Sequence, residues 1–199
     1  MRRPTRWEQI GQQNPDRSAW YVERFRRMAA DGADLAGEAR TVDAMVPRGA
    51  RVLDAGCGPG RVGGELVRRG HTVVGVDVDP VLVEAAHADH PGGTWLVGDL
   101  AELDLPAVGI DEPFDVAVMA GNVLTFVAEG TEAEVLRRIR AHLAPGGRLV
   151  VGFGAGRGYP FEALDADAAA AGLRVDHRFA TWDLRPFTPE SDFLVAILT

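Results

Sequence analysis

The chain has 199 residues, of which 46% are hydrophobic, and it carries a formal net charge of −8 at pH 7. This length and composition suffice for one well-packed domain, though not comfortably for two. The negative charge argues against a dedicated nucleic-acid-binding protein, because such proteins depend on a basic surface. Cys57 is the single cysteine, so no disulfide framework is possible, and we expect a reducing, cytoplasmic setting.

Membrane insertion and lysine chemistry are also disfavoured by composition. No apolar run is long enough to cross a membrane. The first residues, MRRPTRWEQI, lack the apolar stretch of a signal peptide, so we expect no leader. All 21 strong cations are arginine, which excludes a Walker lysine, a Schiff-base lysine and a lysine general base.

The first predicted helix begins at about Asn14. Asn14 suits the N-cap, and Pro15 suits the first helical position. Apolar residues then follow at helical spacing, namely Val22, Phe25 and Met28. A second helix is predicted over about 34–46, before a Pro-Arg-Gly turn. We expect residues 1–48 to form a helical cap, part of which acts as a lid, on a single domain formed by residues 49–199.

Strands and helices alternate from residue 51 onwards. The predicted strands are 51–54, 72–77, 94–99, 114–119, 148–153, 173–182 and 192–198. The predicted helices are 60–70, 80–89, 131–143 and 161–171, and residues 100–113 are expected to form a loop with at most a short helical piece. This alternation predicts an α/β fold with a mostly parallel seven-stranded sheet and helices on both faces. The linker between the last two strands is too short for a parallel crossover, so the last strand is expected to run antiparallel.

The stretch VLDAGCGPG at the end of the first strand admits two interpretations. Residues 58–63 formally fit the G-x-G-x-x-G dinucleotide pattern, and Asp77 follows as a suitable acid. The strand ends at Asp54, however, so the turn begins at Gly56, and from there the third glycine position is occupied by Arg61. A carboxylate at Asp54 would also repel a pyrophosphate, whereas it suits a cationic ligand.

The pattern Asp54-x-Gly56-x-Gly58-x-Gly60 resembles motif I of the class I S-adenosylmethionine-dependent methyltransferases, and the chain is similar to their small single-domain bacterial type. The resemblance covers about residues 50–199. It implies a Rossmann-like fold and, as cofactor, S-adenosylmethionine, which carries an ammonium and a sulfonium but no phosphate.

The resemblance also implies where the cofactor binds. The Asp77 carboxylate would accept the ribose hydroxyls, Asp99 would accept the adenine amine, and the Leu100 backbone N–H would reach the ring. From their position in the first predicted helix, Tyr21 and Arg24 would contact the methionyl carboxylate. The expected cofactor-binding residues are Asp54, Gly56, Cys57, Gly58, Gly60, Asp77, Val78, Asp99, Leu100, Ala120, Gly121, Asn122, Tyr21 and Arg24.

Methyl transfer from a sulfonium needs orientation more than acid–base help, and a base only if the acceptor must lose a proton early. Asn122 is the single catalytic candidate. Its amide either points at the acceptor or shapes the loop, and both interpretations stay open. Cys57 has no partner base, and His87 and His90 lack further ligands at metal-binding spacing, so we expect neither a cysteine nucleophile nor a metal.

The predicted acceptor is a small molecule. The [DNS]-P-P-[YF] motif of amino-methyltransferases that act on nucleic acids is absent, since residues 119–122 read MAGN. We therefore expect neither a nucleic acid nor a membrane as partner. Large flat side chains with a few cations suit an aromatic or carboxylate-bearing acceptor. The candidate acceptor-site residues are Trp20, Tyr21, Phe25, Arg157, Tyr159, Trp182, Arg185 and Phe187. Ordinary packing on the sheet is the alternative for each of them. A cofactor-binding protein without transferase activity and a protein or nucleic-acid methyltransferase are the alternative functions.

Overall fold

A seven-stranded sheet forms the centre of the protein, which a computed structural model describes over residues 2–199. The strands are β1 Arg51–Ala55, β2 Thr72–Asp77, β3 Thr94–Val97, β4 Phe114–Met119, β5 Leu143–Gly154, β6 Val175–Phe179 and β7 Phe193–Leu198. The helices are α1 Arg6–Gln13, α2 Arg17–Ala30, α3 Gly37–Met45, α4 Arg61–Arg68, α5 Pro80–Asp89, α6 Val123–Phe126, α7 Glu132–Ala141 and α8 Ala163–Ala170.

The strand order is β3-β2-β1-β4-β5-β7-β6. Strands β1 to β5 pair in parallel, whereas β7 lies antiparallel between β5 and β6. This confirms the predicted mostly parallel sheet with an antiparallel last strand. The chain moves outwards from β1 to β3 and then returns to β4 on the other side of β1. The crevice between β1 and β4 is the topological switch point, where ligands bind in open α/β sheets.

Helices cover both faces of the sheet. Because side chains alternate along a strand, Val52 contributes to one apolar layer and Leu53 to the other, and both are fully buried. Helices α7 and α8 pack on the Leu53 side, and α3, α4 and α5 pack on the Val52 side. Burial on both faces explains why the strands read as continuous apolar runs.

The N-terminal part differs from the prediction. The helix expected from Asn14 begins only after Asp16, and the sequence interpretation missed α1. Asn14 is instead the C-cap of α1, where its N–H donates to the carbonyl of Ile10. A capping box begins α1: the Thr5 side chain accepts from the Glu8 N–H, and the Glu8 side chain accepts from the Thr5 N–H. The T-x-x-E pattern was the available signal for this helix.

Helix α3 belongs to the core of the domain. Ala39 and Val42 of this helix are buried in the layer that α4 and α5 share. Of the three helices in the predicted cap, only α1 and α2 therefore lie outside the sheet's two apolar layers. Within residues 2–199, no helix has both the length and the apolar character needed to cross a membrane.

Smaller differences concern element boundaries. Strand β5 begins at Leu143 because a pairing of Leu143 with Phe114 precedes a register shift in the β4–β5 ladder. Strands β3 and β6 are shorter than predicted, and the four-residue helix α6 after β4 was not expected. The loop between β3 and β4 contains two 3₁₀ turns, Leu100–Glu102 and Pro106–Val108, one more than the single short helical piece predicted there.

Candidate functional site

A cavity of about 520 Å³ lies at the carboxyl ends of β1 to β4, beside the switch point. Loops after the four strands form its floor and sides, and α1 and α2 provide most of the opposite wall. The lining residues are Thr5, Trp7, Arg17, Trp20, Tyr21, Arg24, Phe25, Asp54, Gly56, Cys57, Gly58, Pro59, Arg61, Val62, Asp77, Val78, Leu82, Gly98, Asp99, Leu100, Ala120, Gly121, Asn122, Val123, Phe126, Val127 and Arg157.

The glycine loop presents its backbone to this cavity. Gly56 has φ +82°, and a side chain there would meet Val123 at 2.4 Å, so both the conformation and the space require glycine. A Cβ added at Gly58 would have no heavy atom closer than the Tyr21 ring at 3.9 Å. The space beside Gly58 is therefore open to the cavity, and its contact with the cofactor stays a prediction.

The Asp54 carboxylate fastens the glycine loop to α4. Its Oδ2 accepts a hydrogen bond of 2.8 Å from the Gly63 N–H, and the residue is 1% exposed. Burial raises the pKa of Asp54 to about 7, although the Gly63 N–H opposes that rise. A positive charge bound nearby would favour the ionised form of this carboxylate.

The Asp77 carboxylate joins two neighbouring loops at the end of β2. Its Oδ2 accepts from the Gly58 N–H at 2.8 Å, and its Oδ1 accepts from the Asp79 N–H at 3.0 Å. Burial raises the pKa of Asp77 to about 6, against these backbone donors. An ionised carboxylate has about four acceptor positions, so two hydroxyl groups find room for hydrogen bonds here.

At the end of β3, Asp99 caps the first 3₁₀ turn and forms an ion pair. Its Oδ1 accepts from the Ala101 N–H at 2.9 Å, and its Oδ2 accepts from Arg2 Nη1 at 2.8 Å. The adjacent Leu100 is buried in the cavity wall. Arg2 was not among the predicted site residues. Its position depends on a contact across 97 residues of sequence, which no local pattern reveals.

Asn122 follows β4 in a left-handed conformation, with φ +70°, and is the N-cap of α6. Its side-chain oxygen accepts from the Gly154 N–H at 2.7 Å and so links the loops after β4 and β5. Because the oxygen is engaged, the amide nitrogen is the group free to donate into the cavity. Loop shaping is thus present in the structure, and contact with an acceptor stays a prediction.

Helix α2 directs aromatic and cationic side chains to the cavity. The Tyr21 and Phe25 rings lie edge to face at 5.0 Å between centroids, and the Arg24 guanidinium lies 5.6 Å from the Phe25 ring and 5.7 Å from the Trp20 ring. Burial raises the pKa of the Tyr21 phenol, which therefore stays protonated and is able to donate a hydrogen bond. The predicted contact of Tyr21 and Arg24 with the methionyl carboxylate stays a prediction.

Four of the acceptor-site candidates lie elsewhere, which corrects the prediction for them. The Tyr159 hydroxyl donates to Asp167 in α8 at 2.7 Å, and its ring is buried against Phe153. The Phe187 ring packs on Phe161. Neither ring lines the cavity.

Trp182 and Arg185 also lie away from the cavity, because the β6–β7 linker that carries them folds along the face of the sheet. Trp182 covers Gly152 of β5 so closely that a Cβ there would meet its ring at 2.4 Å, and its carbonyl accepts from the Thr41 hydroxyl in α3. Arg185 is exposed, with its Nε 3.2 Å from Asp183. Trp20, Tyr21, Phe25 and Arg157 are the remaining four candidates, and all of them line the cavity.

Cys57 is a packed residue of the glycine loop. Burial, together with the charges of Asp54 and Asp77, raises the pKa of its thiol well above the ordinary value. A thiol held protonated is a poor nucleophile. This agrees with the expectation from the sequence that Cys57 does not act as a nucleophile.

Several cavity residues were missed by sequence reasoning, among them Trp7, Arg17 and Phe126. The Trp7 ring lies 5.6 Å from both the Tyr21 ring and the Phe126 ring, and the Arg17 guanidinium lies 4.8 Å from the Trp7 ring. Their convergence depends on how α1 crosses the sheet edge, and nothing local in the sequence indicates it.

The residues present fit an adenosine cofactor with a positive charge. Three carboxylates, those of Asp54, Asp77 and Asp99, lie at the ends of neighbouring strands and line one cavity. They provide acceptors for hydroxyl and amine groups and a negative field for a cation, whereas a pyrophosphate would be repelled by all three. No cluster of three or more histidine, cysteine, aspartate or glutamate side chains within residues 2–199 is arranged to hold a metal.

Comparisons with known proteins agree with this chemistry. A family profile described as a methyltransferase domain matches residues 52–147. A TehB-like SAM-dependent methyltransferase from Corynebacterium glutamicum, known from a crystal structure, is 47% identical in sequence to this chain. The two structures superpose with a TM-score of 0.87, and the match covers 94% of this chain and 99% of that one.

Two curated relatives are more distant. An uncharacterized methyltransferase of Mycobacterium tuberculosis is 34% identical over 113 residues, which is 55% of this chain and 54% of the relative. The ribosomal RNA small subunit methyltransferase C of Chromohalobacter salexigens is 32% identical over 144 residues, 68% of this chain and 41% of the relative. The chain thus matches about half the length of these curated relatives or less.

The sheet order, the glycine loop and the strand-end acids together define a class I methyltransferase architecture. With a relative matched over nearly its whole length, the chain belongs to the S-adenosylmethionine-dependent methyltransferases. Its cofactor is S-adenosylmethionine, and the dinucleotide interpretation of the glycine loop is set aside.

Proposed function

We propose that the protein transfers a methyl group to a small molecule that carries a carboxylate or another anionic group, in a cytoplasmic setting. The observation that supports this is the chemistry of the cavity lining apart from the three acids. Five aromatic rings line it, those of Trp7, Trp20, Tyr21, Phe25 and Phe126. Three arginines accompany them, and within residues 2–199 none of these three forms an ion pair: Arg17, Arg24 and Arg157.

These arginines stand out because the protein is acidic. Most arginines of the described chain are near carboxylates, as in the pairs of Arg61 with Glu38 and Arg26 with Asp89. The Nε atom of Arg17 is buried without a hydrogen-bond partner among residues 2–199. A guanidinium left without a carboxylate in a cavity wall favours an anionic ligand. Arg24 serves the methionyl carboxylate in this proposal, and Arg157, beside Asn122, serves the acceptor.

The size and roof of the cavity support a small acceptor. A volume of about 520 Å³ must accommodate the cofactor and the acceptor together. Trp7 extends across it, from Asp79 after β2 to Phe126 after β4. A polymer would need an open groove along this edge, and the net charge of −8 repels nucleic acid.

S-adenosylmethionine supplies an activated methyl group on a sulfonium, with a neutral thioether as the leaving group. The Asp77 carboxylate binds the ribose, Asp99 and Leu100 bind the adenine, and the Gly58 backbone receives the methionyl part. The Asn122 amide nitrogen and the Arg157 guanidinium orient the acceptor. Both are donors, so they suit an acceptor atom that already holds a free lone pair. Orientation of this kind supplies up to roughly 7–11 kcal/mol in well-aligned systems.

Transfer of label from methyl-labelled S-adenosylmethionine tests this function. The purified protein is incubated with three fractions of a cell extract: small molecules, ribosomal RNA and protein. We expect label in the small-molecule fraction, retained on an anion-exchange resin. An Asp77→Ala protein is the control for cofactor-dependent transfer. Label in RNA or protein alone would contradict the proposed acceptor class and would agree with relatives such as the ribosomal RNA methyltransferase.

A further inference from the structure

Residues 2–13, which we call the strap, cross the cavity and contact loops that follow three different strands. Arg2 pairs with Asp99 after β3. Trp7 Nε1 donates to Asp79 Oδ2, after β2, at 2.7 Å. Contacts with three separate loops place the strap over the cavity opening.

The third contact of the strap is made by Arg6. Its Nη1 donates to the Thr125 carbonyl of α6 at 3.3 Å, and its Nη2 lies 3.8 Å from Glu132 at the start of α7. The strap is therefore attached on both sides of the switch point, to the β2–β3 half of the sheet and to the β4 half.

Trp7 is the residue of the strap that fills the roof. Its ring meets Tyr21 on one side and Phe126 on the other, each edge to face at 5.6 Å. Its indole N–H is held by a carboxylate whose other oxygen, Asp79 Oδ1, caps α5 at Val81 N. The Asp79 backbone N–H in turn donates to Asp77. The roof is thus joined by two hydrogen bonds to the acid proposed to bind the ribose.

The strap contributes little to the core. None of the residues of α1 is buried, and apart from the packing of the Trp7 ring the strap is attached by partly buried hydrogen bonds and ion pairs. A segment with few buried apolar contacts opens locally at a free energy well below that of global unfolding. The strap is therefore able to open while the sheet and its two apolar layers stay folded.

We propose that Trp7 is a positioning residue that retains the bound cofactor: held by Asp79, it closes the strap over the cavity, and the strap must open for S-adenosylhomocysteine to leave. This inference rests on the cofactor placement proposed above. It assigns to Trp7 control of the dissociation rate, in addition to the direct contacts that the strand-end acids make with the cofactor. The contact with Asp79 sets how long the strap stays closed.

Dissociation of labelled S-adenosylhomocysteine into an excess of unlabelled compound measures this function. Trp7→Phe keeps a ring and removes the N–H donor, and Trp7→Ala removes both. We expect Trp7→Ala to raise the dissociation rate constant about tenfold or more, as loss of a hydrogen bond to a charged group and of ring contacts implies. Trp7→Phe should give a smaller increase, and the association rate constant should change less than twofold in both.

Ser18→Ala is the matched control. The Ser18 hydroxyl donates to the same Asp79 oxygen as Trp7, but Ser18 does not line the cavity. Its dissociation rate constant should stay within twofold of the wild type. The melting temperature of each variant without ligand is measured alongside, because a merely structural Trp7 would lower it and leave the dissociation rate unchanged.

An unchanged dissociation rate in Trp7→Ala, or in Trp7→Phe if the alanine variant does not fold, would overturn the proposal. Equal increases in Trp7→Phe and Ser18→Ala would also overturn it. The effect would then come from the loss of any hydrogen-bond donor to Asp79, and not from Trp7 in particular. Failure of the wild type to bind S-adenosylhomocysteine would instead contradict the cofactor placement itself.

Discussion

Helices α1 and α2 both precede the sheet, and both contribute aromatic side chains to the same cavity, but they are attached to the domain in different ways. Helix α2 buries Val22 against Leu82 and Ala85 of α5. Helix α1 buries no residue and is attached by contacts of Arg6 and Trp7 with the segments that follow β4 and β2. The comparison separates covering a site from stabilising a fold, because a helix that buries none of its own residues opens at a lower free energy than one packed into an apolar cluster.

Two deletions test this difference most directly. Removal of residues 2–13 should leave a folded protein whose melting temperature falls by no more than about 3 °C, with cofactor binding weakened. Removal of residues 2–30 also exposes Leu82 and Ala85. Loss of a few kcal/mol of apolar burial corresponds to a fall of roughly 5–10 °C for a chain of this size, and the loss of Tyr21 and Arg24 should abolish measurable cofactor binding.

Calorimetry with S-adenosylhomocysteine and thermal unfolding provide both readouts for the deletions. If both deletions lowered the melting temperature equally, the distinction between the two helices would be wrong. If the shorter deletion kept full cofactor affinity, the strap would not cover the site.

Asp77→Ala measures how much a residue at the sheet edge contributes to cofactor affinity while both helices stay in place. The ribose hydroxyls would lose a charged acceptor, and hydrogen bonds of this kind are worth about 1.5–3 kcal/mol. The dissociation constant should rise roughly 10- to 150-fold. The fold should persist because the residue lies at a strand end. Since Asp77 also accepts from the Gly58 and Asp79 N–H groups, we expect the upper part of that range. An unchanged dissociation constant would contradict the ribose assignment.

The pH dependence of cofactor binding tests the same residue without removing it. Burial raises the pKa of Asp77 to about 6 in the free protein. The hydroxyl donors need the ionised carboxylate, so protonation of Asp77 should lower the affinity as the pH decreases through about 6. Asp54, whose pKa burial raises to about 7, should add a separate decrease nearer neutrality.

Between pH 8 and pH 5 the contribution of Asp77 should raise the dissociation constant roughly tenfold, as one protonation about one unit below the pKa implies. Asp77→Asn should bind weakly and lose the part of the pH dependence centred near pH 6, while the part due to Asp54 remains. A wild-type profile identical in shape to that of Asp77→Asn would contradict the assignment.

The smallest expected effect concerns two arginines with opposite placements. Arg157 lines the cavity, whereas Arg185 is exposed beside Asp183. Arg157→Ala should lower transfer to the small-molecule fraction about three- to tenfold with unchanged S-adenosylhomocysteine affinity. Arg185→Ala should change neither quantity and should alter stability by less than about 0.5 kcal/mol. Equal transfer by both variants would remove Arg157 from the acceptor site.

Much of the sheet and its loops could be predicted from the sequence, because the signals are local. Apolar runs bounded by glycine and acids predicted strands such as β2 and β4 with their observed bounds. The short last linker required an antiparallel β7 whatever the rest of the fold. Asp54, Asp77 and Asp99 converge because the carboxyl ends of parallel strands lie on one edge of a sheet, so their order along the chain was sufficient to bring them together.

The tertiary structure decided which side chains from distant segments share the cavity. Trp7 reaches Asp79 across 72 positions of sequence, and no pattern in α1 indicates that contact. Trp182 and Tyr159 were plausible acceptor residues by composition, but the β6–β7 linker and α8 direct them into packed layers. Hydrophobic periodicity determines which face of an element is buried. The partner of an exposed ring or a free guanidinium depends on how whole elements cross, and that is determined by the packing of the entire domain.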